Sequence, residues 1–327
     1  MNKWLLILLF TISLSSLIAR QIPFEGKEPL IAQAGNNVKP ITDSVVLADT
    51  ARTNAGLLFY LSPDALPVFS ARNCSRRTYN VNSIRYKFGT VYSEAGTDTA
   101  IVKRIVNGKP YIMFSLDSSQ SCTVHRSELR YNNETFTGLP LNADSIFWIG
   151  EAKLIPSAWT IDSTPVVISQ IHGGSTTFLD RNSPPYSLLV VRDSLFVHVA
   201  YNKGVDSIKP NATRVVFTYF VGKVPFGQTF SYVAQVRFAA YPRTDGYVRV
   251  WINDQLMCNY TGPFGYQLEN APYYKVGIYK WQFFNGYDYH VAPGVQSAKI
   301  SYYQGASRYG KSNSTYQTIR PPVEVAR

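Results

Sequence analysis

Three cysteines, four histidines and only 16% charged side chains in 327 residues put several kinds of protein out of reach from the start. Cys74, Cys122 and Cys258 could close at most one internal bridge, leaving one thiol over, and their spacing does not choose the pair. His125, His172, His198 and His290 never cluster with the cysteines as a zinc site requires, which argues against a structural metal. Almost no segment shows a 3.6-residue period, and there is no internal repeat or low-complexity tract. The thin charge comes with 45% hydrophobic and 14% aromatic residues, a globular composition that excludes disorder or a coiled coil as the main theme.

Negative charge is the scarcer sign. Lys and Arg number 32 against 21 Asp and Glu, and a formal charge of +11 favours polyanionic partners, whether nucleic acid, anionic membrane or acidic polysaccharide. Long apolar runs are absent except at the N-terminus, where Lys3 precedes an uncharged stretch from Trp4 to Ile18, ending at Ala19 before Arg20. That pattern reads as a secretory signal peptide over 1–19. A membrane anchor needs about 20 apolar residues, and this run is shorter and interrupted by Thr11, Ser13, Ser15 and Ser16. The mature chain is expected outside the cytoplasm, secreted or periplasmic, with no membrane association and no nucleic acid partner, and it is read as a monomer. Sequons at Asn73, Asn133, Asn211, Asn259 and Asn313 imply glycosylation only in a eukaryotic host.

Residues 20–50 carry Pro23, Pro29 and Pro40 with no sustained period and read as an arm or linker, which leaves 51–327 as the main domain. There the pattern is short β-branched or alternating segments separated by Gly, Pro, Asn and Asp. Strands are expected at 79–88, 99–106, 111–116, 124–131, 166–172 and 186–191, and further on at 195–200, 214–221, 230–238, 247–252, 273–279 and 299–303. Asn253-Asp254 marks a tight hairpin leading into Gln255. A dozen strands with no interposed helix indicate an all-β fold, a jelly-roll sandwich.

Residues two apart on a strand share a face, and three segments become informative when divided in this way. Arg126, Glu128 and Arg130 share one face of the first; Gln170 and His172 share one face of the second; Tyr273, Lys275, Gly277 and Tyr279 share one face of the third. Each segment taken alone has a plain structural reading, such as a solvated face with ion pairs or an edge strand with a glycine bulge. Together, in this order, Arg126-Ser127-Glu128-Leu129-Arg130, Gln170-Ile171-His172 and Tyr274-Lys275-Val276-Gly277-Ile278-Tyr279 resemble the three signature strands of the jelly-roll polysaccharide lyases, the group that holds alginate, glucuronan and heparin lyases. The resemblance covers roughly 75–305, and the hairpin from Tyr247 to Asp254 is also similar to one found in those sandwiches.

The resemblance implies a concanavalin-like sandwich whose concave sheet binds an acidic polysaccharide, and β-elimination as the chemistry. Such a reaction removes the C5 proton of a uronate and expels the O4 glycosidic oxygen. The carboxylate beside C5 must be neutralised by fixed donors or cations, a task for which Arg126 and Gln170 are the candidates. Neutral His172, with a reference pKa near 6.5, suits a base, and Tyr279 can protonate the leaving oxygen. In these families the matching tyrosine is often the acid and sometimes both base and acid, so the identity of the base stays open. Glu128 is expected to hold Arg126 and Arg130 in position. Arg130, Lys275, Tyr273, Gln235, Arg237 and Trp281 are the candidate substrate-binding residues, with Tyr287 as a further stacking candidate. No cofactor or catalytic metal is called for, because Arg126 and Gln170 can supply the neutralising charge.

Two rival readings use similar surfaces. A glycoside hydrolase needs two carboxylates flanking the bond, and the Glu-x-Asp-x-x-Glu strand of laminarinase-like enzymes is absent. A non-catalytic binding module would use the aromatic and basic residues without requiring His172 and Tyr279 together. Among polyuronates, alginate ranks first on the motif set, glucuronan second and heparin-type chains third.

Overall fold

In this computed structural model the described residues are 57–61, 63, 77–81, 89–94, 100–117, 126–131, 146–159, 164–172, 184–203, 214–266, 272–280 and 299–321, all within the unit spanning 43–327. The expected leader over 1–19 and the arm over 20–50 lie outside them. Two eight-stranded antiparallel sheets make up the fold. The first runs in the order β14 (Gln255–Thr261), β13 (Tyr247–Ile252), β12 (Thr229–Arg237), β7 (Ile146–Leu154), β16 (Lys299–Gly310), β5 (Lys109–Asp117), β4 (Ile101–Val106), with β1 (Leu57–Leu61) also paired to β16. The second runs β11 (Arg214–Lys223), β10 (Ser194–Asn202), β9 (Tyr186–Val191), β8 (Val166–His172), β15 (Tyr273–Tyr279), β6 (Arg126–Tyr131), β3 (Gly89–Glu94), β2 (Arg77–Val81). This is a jelly-roll β-sandwich, as the strand pattern implies.

Alternation builds the core. On β12, Phe230, Tyr232, Ala234 and Val236 point between the sheets, while Val233, Gln235 and Arg237 take the other face. The hairpins close where the sequence offers residues that tolerate positive φ: Asn253 and Asp254 sit at 47° and 69°, and Asn107 and Gly108 at 50° and 73°. Both are the geometry that matches strand twist in a two-residue turn. Asn253 also accepts a bond from the Ser231 amide through its side chain, pinning the hairpin to β12. A second, small apolar cluster of Trp148, Val233 and Ile319 forms on the outer face of the first sheet. Ile319 belongs to the short helix α1 (Tyr316–Ile319), which starts at a Thr315/Thr318 capping box and lies over Gly150.

The strands over 166–172, 186–191, 247–252 and 273–279 coincide with the expected ones. β1, β3 and β7 are not anticipated by the sequence pattern. β7 is the central omission: its nine residues are buried along almost their whole length, so it shows no alternation, and it carries Glu151 and Lys153 into the space between the sheets. There Lys153 Nζ lies 2.6 Å from Glu151 Oε2, and both side chains are fully enclosed. Burial pulls the Lys153 ammonium below its usual range, and Glu151 opposes the shift.

Candidate active site

The topology brings the three signature segments side by side, with β15 between β8 and β6. Across β15 and β6, Lys275 stands opposite Arg130, Gly277 opposite Glu128 and Tyr279 opposite Arg126. Across β15 and β8, Tyr273 stands opposite His172 and Lys275 opposite Gln170. Directly paired residues share a face, so these groups form one outer surface. The alternate residues Leu129, Ile171, Tyr274, Val276 and Ile278 belong to the core. β15 is therefore an interior strand, not the edge strand that the structural reading of its aromatics suggested.

Glu128 is the hub of this surface. Gln170 Nε2 donates to its Oε1 at 2.5 Å, while Lys275 Nζ and Arg126 Nη1 lie 3.5 and 3.6 Å from Oε2. Glu128, Gln170 and Lys275 are buried, and Arg126 keeps 24% of its side chain exposed. Neighbouring strands are spaced about 4.8 Å apart, so Gln170 and Glu128 reach across a whole intervening strand to meet. Beneath that bond β15 bulges at Gly277, where a side chain would be driven against Phe114 in the core. The register of β15 against β8 shifts between Val276 and Tyr279, and Gly277 sits at φ 140°, the bulged conformation that glycine adopts most readily.

The two ends of the surface are aromatic. The Arg126 guanidinium lies 4.4 Å from the centre of the Tyr279 ring, a favourable cation–π contact. At the other end His172 stacks on Tyr273, with centroids 5.0 Å apart and planes 11° from parallel. Lys275 Nζ stands 5.7 Å from the same Tyr273 ring. The register sets His172 opposite Tyr273 and Tyr279 opposite Val167, five residues apart along β8 with a bulge between them.

Gln235 and Arg237 leave the site. They do point outward from β12, but β12 belongs to the first sheet, so they occupy the opposite side of the sandwich. There Gln235 accepts from Arg249 at 3.2 Å and Arg237 pairs with Asp245 at 2.8 Å. Alternation fixes which residues face away from the core, but not which sheet a strand joins. Arg130 holds its register position, and its side chain lies outside the described residues, as do Trp281 and Tyr287. One residue on the site face was not singled out from the sequence. The row Lys275–Gln170 continues through Ser187 on β9 to His198 on β10. Burial, assisted by the Arg214 charge, pushes the His198 imidazole down to about 4. Among the described residues no group of three or more His, Cys, Asp and Glu is placed to hold a metal ion.

A model of the polysaccharide lyase family matches residues 77–307, which contain all three signature strands. The chain belongs to the polysaccharide lyase family. Among solved structures, this lyase is similar to an endo-β-1,4-glucuronan lyase from the fungus Trichoderma reesei, at 15% identity and a TM-score of 0.53 over 64% of this chain and 86% of that one. The alginate lyase AlgAT5 of polysaccharide lyase family 7 aligns at 14% identity and a TM-score of 0.40, covering 64% and 82% of the two chains. Alginate lyase A1-II′ of the same family aligns at 14% identity and a TM-score of 0.41, covering 66% and 85%. No curated protein matches the chain. Among the described side chains of β6, β8 and β15 the only carboxylate is Glu128, and it already faces two cations and an amide.

Proposed function

We propose that this lyase is exported by its N-terminal leader, acts as a monomer through the domain read over 51–327, and cleaves a 1,4-linked polyuronate by β-elimination on the outer face of β6, β15 and β8. The observation that carries the reading is the packing of Arg126 on Tyr279 beside the Glu128–Gln170 bond. In this reading the Arg126 guanidinium and the remaining amide hydrogen of Gln170 take the uronate carboxylate. Neutralising that group lets negative charge develop as the C5 proton leaves. Tyr279 oxygen accepts the C5 proton, the C4–O4 bond breaks as the C4–C5 double bond forms, and the same phenol returns a proton to O4.

The five-residue separation along β8 favours one tyrosine in both proton roles over a division of labour between Tyr279 and His172. His172, stacked on Tyr273, then serves an adjoining sugar through ring contacts and a polar edge. Arg130 is assigned to uronate carboxylates along the chain, the buried Lys275 to balancing the Glu128 charge, and Glu128 to holding Arg126 and Lys275 in place. The excess of Lys and Arg draws the polyanion in at long range.

Alginate, favoured by the motif set, and glucuronan, the substrate named for the fungal neighbour, are the polymers to try first. The test is ultraviolet detection of unsaturated uronate ends with purified protein on alginate blocks, glucuronan, heparin, hyaluronan and pectate. A rise on one polymer identifies the substrate. Silence on all of them, with binding retained, would replace elimination by simple polysaccharide recognition.

A further inference from the structure

Behind the site, between the sheets, Glu151 receives four donors. Lys153 Nζ and Ser169 Oγ reach its Oε2 at 2.6 and 3.0 Å, and the hydroxyls of Tyr274 and Tyr309 reach its Oε1, each at 2.8 Å. A carboxylate has about four lone-pair positions, so this one is saturated. Lys153 also donates to Ser169 Oγ at 2.7 Å and to the Tyr302 hydroxyl at 2.8 Å. Every member of the cluster is buried.

Such a cluster adds little to stability that well-packed apolar side chains would not supply, because desolvating two charges offsets most of their attraction. What it adds is direction. Glu151, Lys153, Tyr302 and Tyr309 belong to β7 and β16 of the first sheet, whereas Ser169 and Tyr274 come from β8 and β15 of the second. Ser169 immediately precedes Gln170. Tyr274 lies between Tyr273 and Lys275. The two second-sheet hydroxyls are thus the inward neighbours of outward site residues, and they fasten both site strands to one fixed carboxylate.

We infer that Ser169 and Tyr274 are positioning residues, which act through Glu151 to hold β8 and β15 in the alignment that lets Gln170 and Tyr279 work on one sugar. The inference rests on the lyase reading of the site. Tyr309 provides an internal control, because it donates to the same Glu151 oxygen as Tyr274 but from β16, a strand with no site residue.

The experiment compares Tyr274→Phe, Ser169→Ala and Tyr309→Phe on the polymer the wild type cleaves, with Tm measured for each. Small misplacements at a reacting centre can cost up to about 100-fold. Tyr274→Phe and Ser169→Ala should therefore lower kcat roughly 10- to 100-fold, with KM within about twofold, while Tyr309→Phe loses similar Tm and keeps its kcat. Equal kcat in Tyr274→Phe and Tyr309→Phe would overturn the inference. If Ser169→Ala does not fold, the tyrosine pair still decides the question. If the wild type forms no unsaturated product, the lyase reading fails by itself, and amide hydrogen exchange then judges the positioning claim. Faster exchange on β8 and β15 in Tyr274→Phe than in Tyr309→Phe would uphold it, and equal exchange would overturn it.

Discussion

Gln170 and Glu128 hydrogen-bond at 2.5 Å although a complete strand, the one that carries Gly277, lies between theirs. The bond ties β8 to β6 over the top of β15, so three segments far apart in sequence act as one platform. A side chain at 277 would collide beneath the platform, because an added Cβ would fall 2.2 Å from the Ser127 carbonyl oxygen and 2.9 Å from Phe114 Cδ1.

Gly277→Ala should accordingly be among the most damaging single-methyl changes in the protein. Backbone strain at this φ costs about 1–3 kcal/mol, and the steric overlap adds to it. Urea unfolding should show the loss, and an unchanged midpoint would mean that the bulge is not rigid.

Glu128→Gln keeps a hydrogen-bonding group toward Gln170 but removes the negative charge that Arg126 and Lys275 both face. Because Lys275 is buried, the variant should lose up to about 3 kcal/mol and should bind oligouronates less well. Calorimetric unfolding and titration report the two effects separately. Wild-type stability in this variant would show that the carboxylate is not needed as a counter-charge.

Tyr279→Phe should lower kcat by roughly 10²- to 10⁴-fold, the usual worth of a positioned acid or base, with folding intact. His172→Ala should act mainly on KM, since His172 is assigned to a neighbouring sugar. A drop in kcat for His172→Ala as large as that for Tyr279→Phe would instead make the imidazole the base and refute the single-tyrosine scheme.

His198 should give the protein a pH-dependent stability. Its folded pKa is near 4, below the unfolded value near 6.5, so the unfolded chain binds the extra proton between these limits. Stability from this group is complete above about pH 6.5 and declines as pH falls toward 4, by roughly 3 kcal/mol in total. In His198→Gln the decline of Tm over that window should flatten. An identical slope in the variant would assign the acid sensitivity to other groups.

What the sequence made legible follows from what periodicity can encode. Two-residue alternation revealed the outward pairs Gln170 and His172 on β8 and Tyr273 and Lys275 on β15, but not the bulge that turns Ile168 and Ser169 inward and sets Val167 opposite Tyr279. It could not reveal β7, which is enclosed on both sides and whose Glu151 and Lys153 look like surface charges until Ser169, Tyr274 and Tyr309 arrive from distant segments. Gln235 and Arg237 failed for a related reason, because membership of a sheet is decided by pairing over long sequence distances. The separation of His172 from Tyr279 was hidden as well: it depends on the register of β8 against β15, not on the motif within either strand.

The placement of β15 also governs when the site can exist. In space this strand separates β6 from β8, yet in the chain it begins about 100 residues after β8 and about 140 after β6. The two earlier strands cannot pair with each other in the native arrangement and must wait, each with one flank open, for the segment from Tyr273 to Tyr279 to be inserted between them. Closing such long loops is slow compared with forming local hairpins. A nascent chain that has emerged only as far as residue 260 therefore has β6 and β8 without the strand that joins them, and the site cannot assemble until Tyr273–Tyr279 has been made.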